Sequence, residues 1–336
     1  MTWWELEIAV PAERWCATVA TLAGRLPHPG TGALLVRDVT ARGEPALYVQ
    51  ARTHDGAELT RWYSAAVSPT PPGGPAATAG VAVVRPARLV PLAGPVFGGP
   101  ALPSLTRGLL HRAAPAVAQL AGLGAGRRST LLHAALAVLT AHLATQGPSA
   151  APGAAAVRLH GVPLGFLSLR SHAEAYFATC RDPGAARADM DARYHAAKAG
   201  IDATVARVLD QARAGTLPDG PARHWHTAVT VTRPDFLDAF RGGEVTVAAP
   251  PDPRTHADDL AASGFHRKAG ASGALQDYLR GDPAFLAVRL TTSLLYLVLH
   301  TAGMSLAERY FACHLVSRAC EALSGTDAMT VLDTLA

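Results

Sequence analysis

The stretch Gly32–Arg52, GALLVRDVTARGEPALYVQAR, decides the fold. Two apolar runs, Gly32 to Val39 and Pro45 to Arg52, flank Thr40-Ala41-Arg42-Gly43-Glu44, and strand-like runs around a short Gly-containing connection predict a β-hairpin. Upstream, Trp4, Leu6, Ile8 and Val10 alternate with Trp3, Glu5 and Glu7, the period of a half-buried strand. Pro11 and AERWCATVATLAGRL then read as a helix with proline in its first turn, ended by Pro27-His28-Pro29-Gly30. Glu58 to Val67 reads as a continuation of the sheet, and Val81 to Val84 as a further strand.

Beyond the first quarter the pattern turns helical. Ser104 to Gln146 fits two helices, broken at Gly122–Gly126, with Ser129 or Thr130 capping the second. Asp182-Pro183 opens a long helix whose apolar residues recur at three, four and seven, and Gly215 ends it. Asp282-Pro283 and Ser305 start two more. Ala228 to Val231 and Val245 to Ala248 read as strands. Strands first and helices later argue for an α+β fold, an antiparallel sheet with packed helices, in one domain spanning 1–336 with loops at 68–80 and 147–153.

Composition narrows the function classes. Of 336 residues, 49% are hydrophobic and 17% charged, which excludes a disordered chain or a coiled coil. Thirty basic against 26 acidic residues give +4, and no basic cluster exceeds Arg127-Arg128, so no nucleic-acid partner is expected. The apolar run Phe285 to Leu299 contains Arg289 and falls short of the roughly 20 residues of a bilayer span. It reads as a buried helix, with no membrane partner. The N-terminus lacks the charge and apolar pattern of a signal peptide, and Cys16, Cys180, Cys313 and Cys320 form no C-x-x-C pair. A cytoplasmic location with reduced thiols is the expectation. Phosphate-loop, dinucleotide, zinc-protease and nucleophile-elbow signatures do not occur. His224 and His226 fall on one face of a strand-like stretch without an evident third ligand, so no metal is expected.

Chemistry gathers at two places. In FLAVRLTTSLLYLVLH, Phe285 to His300, the residues Arg289, Ser293, Tyr296 and His300 stand at i, i+4, i+7 and i+11, one face of an otherwise apolar helix. A solvated face normally carries Glu and Lys. This one carries a guanidinium, a hydroxyl, a phenol and an imidazole, groups that donate protons or hydrogen bonds. The second place is SLRSHAEAY, Ser168 to Tyr176, with Arg170, Ser171, His172 and Glu174 in five positions. Ser171 and Glu174 have capping-box spacing, which leaves His172 and Arg170 unexplained.

SLRSHAEAY, FGGP at Phe97 to Pro100 and TSLLYLVLHTAGMSLAERYFACHL resemble the C-terminal elimination domain of lantibiotic dehydratases. They resemble its stand-alone thiopeptide members more closely. WWELEIAVP, the following helix and the hairpin fall where that family has its opening elements, and Arg37 matches an arginine of the first hairpin strand. The departures point to changed chemistry. The elimination enzymes carry a histidine in the segment matching Ser293 to Leu297, where this chain has Tyr296. Their hairpin ends in His-Leu-Arg-Leu-Arg, where this chain reads Ala46-Leu47-Tyr48-Val49-Gln50. That combination is similar to the thiopeptide pyridine synthases, which join two dehydroalanines of a linear azole-bearing peptide by a formal 4+2 aza-cycloaddition and release water and the leader peptide.

The resemblance implies a cofactor-free enzyme whose partner is a precursor peptide with its leader; a homodimer is left open. It implies Tyr296 as principal proton donor with Ser293 beside it, and His172 or Tyr296 as acid-base help in the later losses. Gln50 and Arg170 would hold substrate amides, with Ser171 lining the site and Arg289 and Glu174 orienting. Glutamate elimination from a glutamylated precursor, or non-catalytic leader binding, are the alternatives.

Overall fold

The computed structural model describes residues 1–26, 32–40, 43–67, 83–88, 97–147, 150–157, 159–247, 260 and 263–335. The loop expected at 68–80 lies outside these residues, as do 148 and 149 of the loop expected at 147–153.

Strand β1 (Thr2–Ala9) pairs antiparallel with β3 (Pro45–Thr53), setting Leu6 opposite Val49 and Glu5 opposite Gln50. The other edge of β3 takes β2 (Ala33–Val39), completing the hairpin, and β4 (Val83–Pro86) lies on β1, giving the order β2-β3-β1-β4. The α+β architecture is thus observed. Leu6, Ile8, Leu47 and Val49 are all buried on one face. The opposite face is not simply solvated. Glu5 is only 1% exposed, because Arg85, Arg88 and the Gln50 amide close over its carboxylate. A two-residue ladder joins β5 (Phe97–Gly98) to β6 (Thr246–Val247).

After α1 (Trp15–Ala23) the chain corrects the sequence reading at 58–67: this is helix α2 (Gly56–Val67), not a strand. Asp55 Oδ1 accepts from the Glu58 N–H at 2.8 Å while Glu58 Oε2 accepts from the His54 N–H at 3.2 Å, so the first turn is capped from both ends. Leu59, Tyr63 and Ala66 then bury at helical spacing. Helix α3 (Leu102–Gly126) runs through the glycines expected to break it; the break falls at Arg127, whose extended backbone redirects the chain into α4 (Arg128–Ala144). Ser129 and Thr130 lie inside the first turn of α4, which has no side-chain cap.

Helix α5 (Phe166–Thr179) starts before Ser171, so the capping box expected at Ser171 and Glu174 does not form. Asp182 caps α6 (Pro183–Arg213) as its sequence signal predicts. Helix α7 (Pro221–Arg241) replaces the strand expected at Ala228–Val231. Trp225, Val229, Thr232, Phe236 and Phe240 bury along one stripe against α3 and α4, and this packing overrides the β-propensity of TAVTVT. In a helix His224 and His226 point apart: His224 meets Gln119 at 3.2 Å, whereas His226 lies toward His142. Two short helices without a counterpart in the sequence reading, α8 (Gly264–Ala271) and α9 (Gly273–Gly281), begin at the serine caps Ser263 and Ser272.

Helix α10 (Pro283–Thr301) begins at the Asp282 cap and packs against α3, α7 and β2. By length and composition it is apolar enough to cross a membrane, but Leu290, Leu294, Leu295 and Leu299 are fully buried in the core. The Trp15 indole donates to the Thr301 carbonyl at 2.8 Å and the Arg37 N–H to Thr301 Oγ1 at 3.0 Å, pinning its end to the sheet. Gly303, at φ +103°, turns the chain where an added Cβ would lie 2.5 Å from Cys16 Sγ. Ser305 and Glu308 form the capping box of α11 (Leu306–Ser324), and α12 (Ala328–Leu335) follows.

Candidate active site

Three helices deliver the reactive groups. α10 carries the polar stripe, α5 lays His172 against it, and α11 contributes the residues beneath. The stripe is not uniform: Arg289 is exposed, Ser293 and His300 are half-buried, and Tyr296 is 7% exposed.

At the centre the rings of His172 and Tyr296 meet edge to face, centroids 4.8 Å apart at 88°. Arg309 lies over the Tyr296 ring at 4.6 Å and over the Tyr310 ring at the same distance, and Tyr310 stacks on Tyr176. The Cys313 thiol donates to the Tyr296 oxygen at 3.6 Å. Burial pushes the Tyr296 phenol well above its usual pKa, with Cys313 adding to the effect and Arg309 opposing it. Burial pushes the Cys313 thiol up to about 11. His172 is driven the other way, down to about 3, by burial and then by the Arg309 charge, so its imidazole is neutral at pH 7.

What these groups bond to matters as much as where they sit. Among the described residues the half-buried His172 ring makes no hydrogen bond, and the Tyr296 hydroxyl, which accepts from Cys313, has no acceptor for its own proton. The buried Nε–H of Arg309 is likewise without an acceptor. Interior polar groups are nearly always paired. A neutral phenol with its proton undonated, a neutral imidazole and a guanidinium, in contact with one another, form a set of donors and one acceptor available to a ligand.

The other sequence candidates lie around this centre in different states. Ser293 Oγ donates to the carbonyl of Arg289 in its own helix at 3.1 Å. Arg289 reaches the Phe97 ring at 5.8 Å, which brings the FGGP segment to the stripe. Ser171 meets His266 Nε2 of α8 at 2.9 Å. His300 Nδ1 contacts the Met304 carbonyl at 3.2 Å, and burial and Arg37 lower its pKa. Arg170 and Glu174 pair with each other at 3.0 Å, and Glu174, 3% exposed, also holds Arg187 in a two-pronged bond. Burial alone would raise the Glu174 pKa, but Arg187 and Arg170 outweigh it and hold the carboxyl ionised. Gln50 is committed on the sheet: its amide donates to Glu5 at 2.9 Å and to the Arg88 carbonyl, and accepts from Arg107 at 3.1 Å. None of its bonds goes to Tyr296 or His172.

Sequence reasoning passed over Arg309, Tyr310 and His266. Arg309 and Tyr310 follow the Ser305 cap in SLAERYF, where they look like ordinary first-turn residues, and only the crossing of α10 and α11 puts Arg309 on Tyr296. A separate cavity of about 380 Å³, lined by Ser104, Asp235, Asp238 and Glu244 among others, contains none of the candidate groups.

No protein-family model and no curated protein matches the chain. Solved structures do. The crystal structure of TsrL superposes at a TM-score of 0.75 with 22% identity, covering 99% of this chain and 98% of that one. The pyridine synthase TbtD, from thiomuracin biosynthesis, superposes at 0.61 with 19% identity, covering 97% and 99%. MibB, a tRNA dependent lantibiotic dehydratase from Microbispora sp., aligns at a TM-score of 0.43 with 20% identity, over 95% of this chain and 28% of that one. The first two likenesses extend over nearly the whole of each chain and establish a shared fold.

Proposed function

We propose that this chain is a thiopeptide pyridine synthase acting as one catalytic domain. It joins two dehydroalanines of a linear, azole-containing precursor peptide by a formal 4+2 aza-cycloaddition, then expels water and the leader peptide to leave a pyridine within a macrocycle. The observation that carries the reading is the Tyr296–His172 contact, two neutral proton-handling groups, the phenol with its proton undonated and the imidazole without a hydrogen bond among the described residues. The fold shared with TbtD supports it.

The geometry suits the steps. One dehydroalanine must react as a 2-azadiene, which requires an amide N–H bond to break and an O–H bond to form on the neighbouring carbonyl oxygen. Tyr296 donates toward that oxygen, and His172 accepts the amide proton. With basicity this low, His172 does not store that proton but passes it on to the Tyr296 oxygen, restoring both groups. Two C–C bonds then close the six-membered ring. Breaking the ring C–O bond releases water, and breaking a C–N bond releases the leader as its amide, both assisted by the same pair. Much of the acceleration comes from holding two distant alkenes together, worth about 7–11 kcal/mol in well-oriented cases.

Incubation with a dehydroalanine-containing precursor is expected to give a pyridine macrocycle and the free leader amide, read by mass spectrometry. Parallel incubation with a glutamylated precursor tests the parent chemistry. Dehydroalanine formed in that arm, with no macrocycle in the first, would replace this reading by glutamate elimination. Leader binding with no product in either arm would leave a carrier role.

A further inference from the structure

Arg309 is a half-buried cation of the site whose Nε is buried and whose side-chain partners among the described residues are aromatic. Its guanidinium lies between the Tyr296 and Tyr310 rings, 4.6 Å from each centroid, and no carboxylate pairs with it among the described residues. A buried N–H with no acceptor is unfavourable and uncommon in a folded chain. Contact with two rings restricts the guanidinium and leaves its Nε–H for one more bond. The charge lies close enough to both His172 and Tyr296 to bias each of them.

We infer that Arg309 is a substrate-binding catalytic residue that donates, alongside the Tyr296 hydroxyl, to the acyl oxygen of the peptide amide that tautomerises. The inference rests on the pyridine-synthase reading and names the second donor that reading needs. A peptide carbonyl is neutral in the bound substrate and gains negative charge as the amide N–H is lost. A fixed guanidinium therefore binds the reacting state more strongly than the ground state. The neutral phenol supplies the proton, and Arg309 contributes only its hydrogen bond and charge. The electron pair from the N–H bond becomes the C=N bond of the azadiene, and no oxidant or cofactor enters.

The test compares Arg309→Gln and Arg309→Lys with the unmodified protein. Single-turnover cyclisation of a dehydroalanine precursor is measured beside the Kd of that precursor and the thermal melt. Arg309→Gln is expected to cyclise about 100-fold more slowly, as for loss of one oxyanion donor, with the Kd changed by less than about threefold. Arg309→Lys keeps the charge but loses the planar fork, and is expected to be about tenfold slower. Should the Gln variant fail to fold, the Lys variant decides. A folded variant of either kind that cyclises at the unmodified rate overturns the role of Arg309 alone, as does a loss that lies wholly in Kd. If the unmodified protein itself makes no pyridine, the underlying reading falls, and this role falls with it.

Discussion

Two polar clusters flank helix α5, and they are built on opposite terms. On one side Glu174 pairs with Arg170 and Arg187, Arg170 reaches Glu321 at 3.6 Å, Glu321 holds Arg318 at 2.6 Å, and Arg318 meets Asp191 at 3.2 Å. Every charge there has an opposite neighbour, and the network ties α5, α6 and α11 together. On the other side His172, Tyr296 and Arg309 touch through their ring faces and edges and leave the phenol proton and the Arg309 Nε–H unspent. The first arrangement fixes where the helices lie. The second keeps bonding capacity for something outside the chain. Two residues apart on one helix, Glu174 and His172 serve these different ends.

The contrast can be broken from either side. Glu174→Ala should have the largest effect on stability, about 3–5 kcal/mol by denaturant unfolding, because it takes the bonded carboxylate from Arg187 and leaves Arg170 only the longer pair with Glu321. Tyr296→Phe should leave unfolding nearly unchanged yet slow cyclisation by about 10²–10³-fold, about 3–4 kcal/mol in the barrier, with precursor binding intact. Equal losses of stability in the two variants would erase the distinction.

Acid should separate the clusters next. The pKa values of His172 and the buried His142 are both pushed down to about 3 from an ordinary 6.5. The unfolded chain therefore binds protons that the folded chain refuses, and stability present above pH 6.5 declines as the pH falls from there toward 3. Glu174, with a depressed pKa, contributes fully above its ordinary 4.5 and loses its contribution only below that value. Urea unfolding at pH 7, 5 and 4 should show loss already at pH 5, before the carboxylates titrate. A flat profile down to pH 5 would contradict the neutral histidines. Smallest is Asp282→Ala, which removes the cap of α10 and should cost about 1 kcal/mol in the same assay while leaving the centre assembled.

The elements legible in the sequence were those with local causes. Asp182-Pro183, Asp282-Pro283 and Ser305 with Glu308 start helices because a side chain satisfies backbone N–H groups two or three residues on, and that depends on neighbours in the chain. The hairpin was legible for the same reason. Where packing chose between two local options, sequence reading failed. TAVTVT in α7 has strand propensity but buries Trp225, Val229, Thr232 and Phe236 on a helical stripe. At 58–67 a usable signal existed, the Asp55–Glu58 spacing, hidden by the strand-like Trp62 and Tyr63.

The same division runs through the site. The sequence alone determined that α10 exists, where it starts, and that Arg289, Ser293, Tyr296 and His300 share its face, because helical period is a property of the backbone. It also singled out His172 without a structural use for it. Only the tertiary structure decided which stripe residue is buried and which imidazole meets it. Only the crossing of α10 and α11 placed Arg309 on Tyr296, and only packing spent Arg170, Glu174 and Gln50 on internal bonds. Periodicity fixes direction around one helix axis. Partners, burial and shifted proton affinities come from the other helices, whose approach no single stretch of sequence encodes.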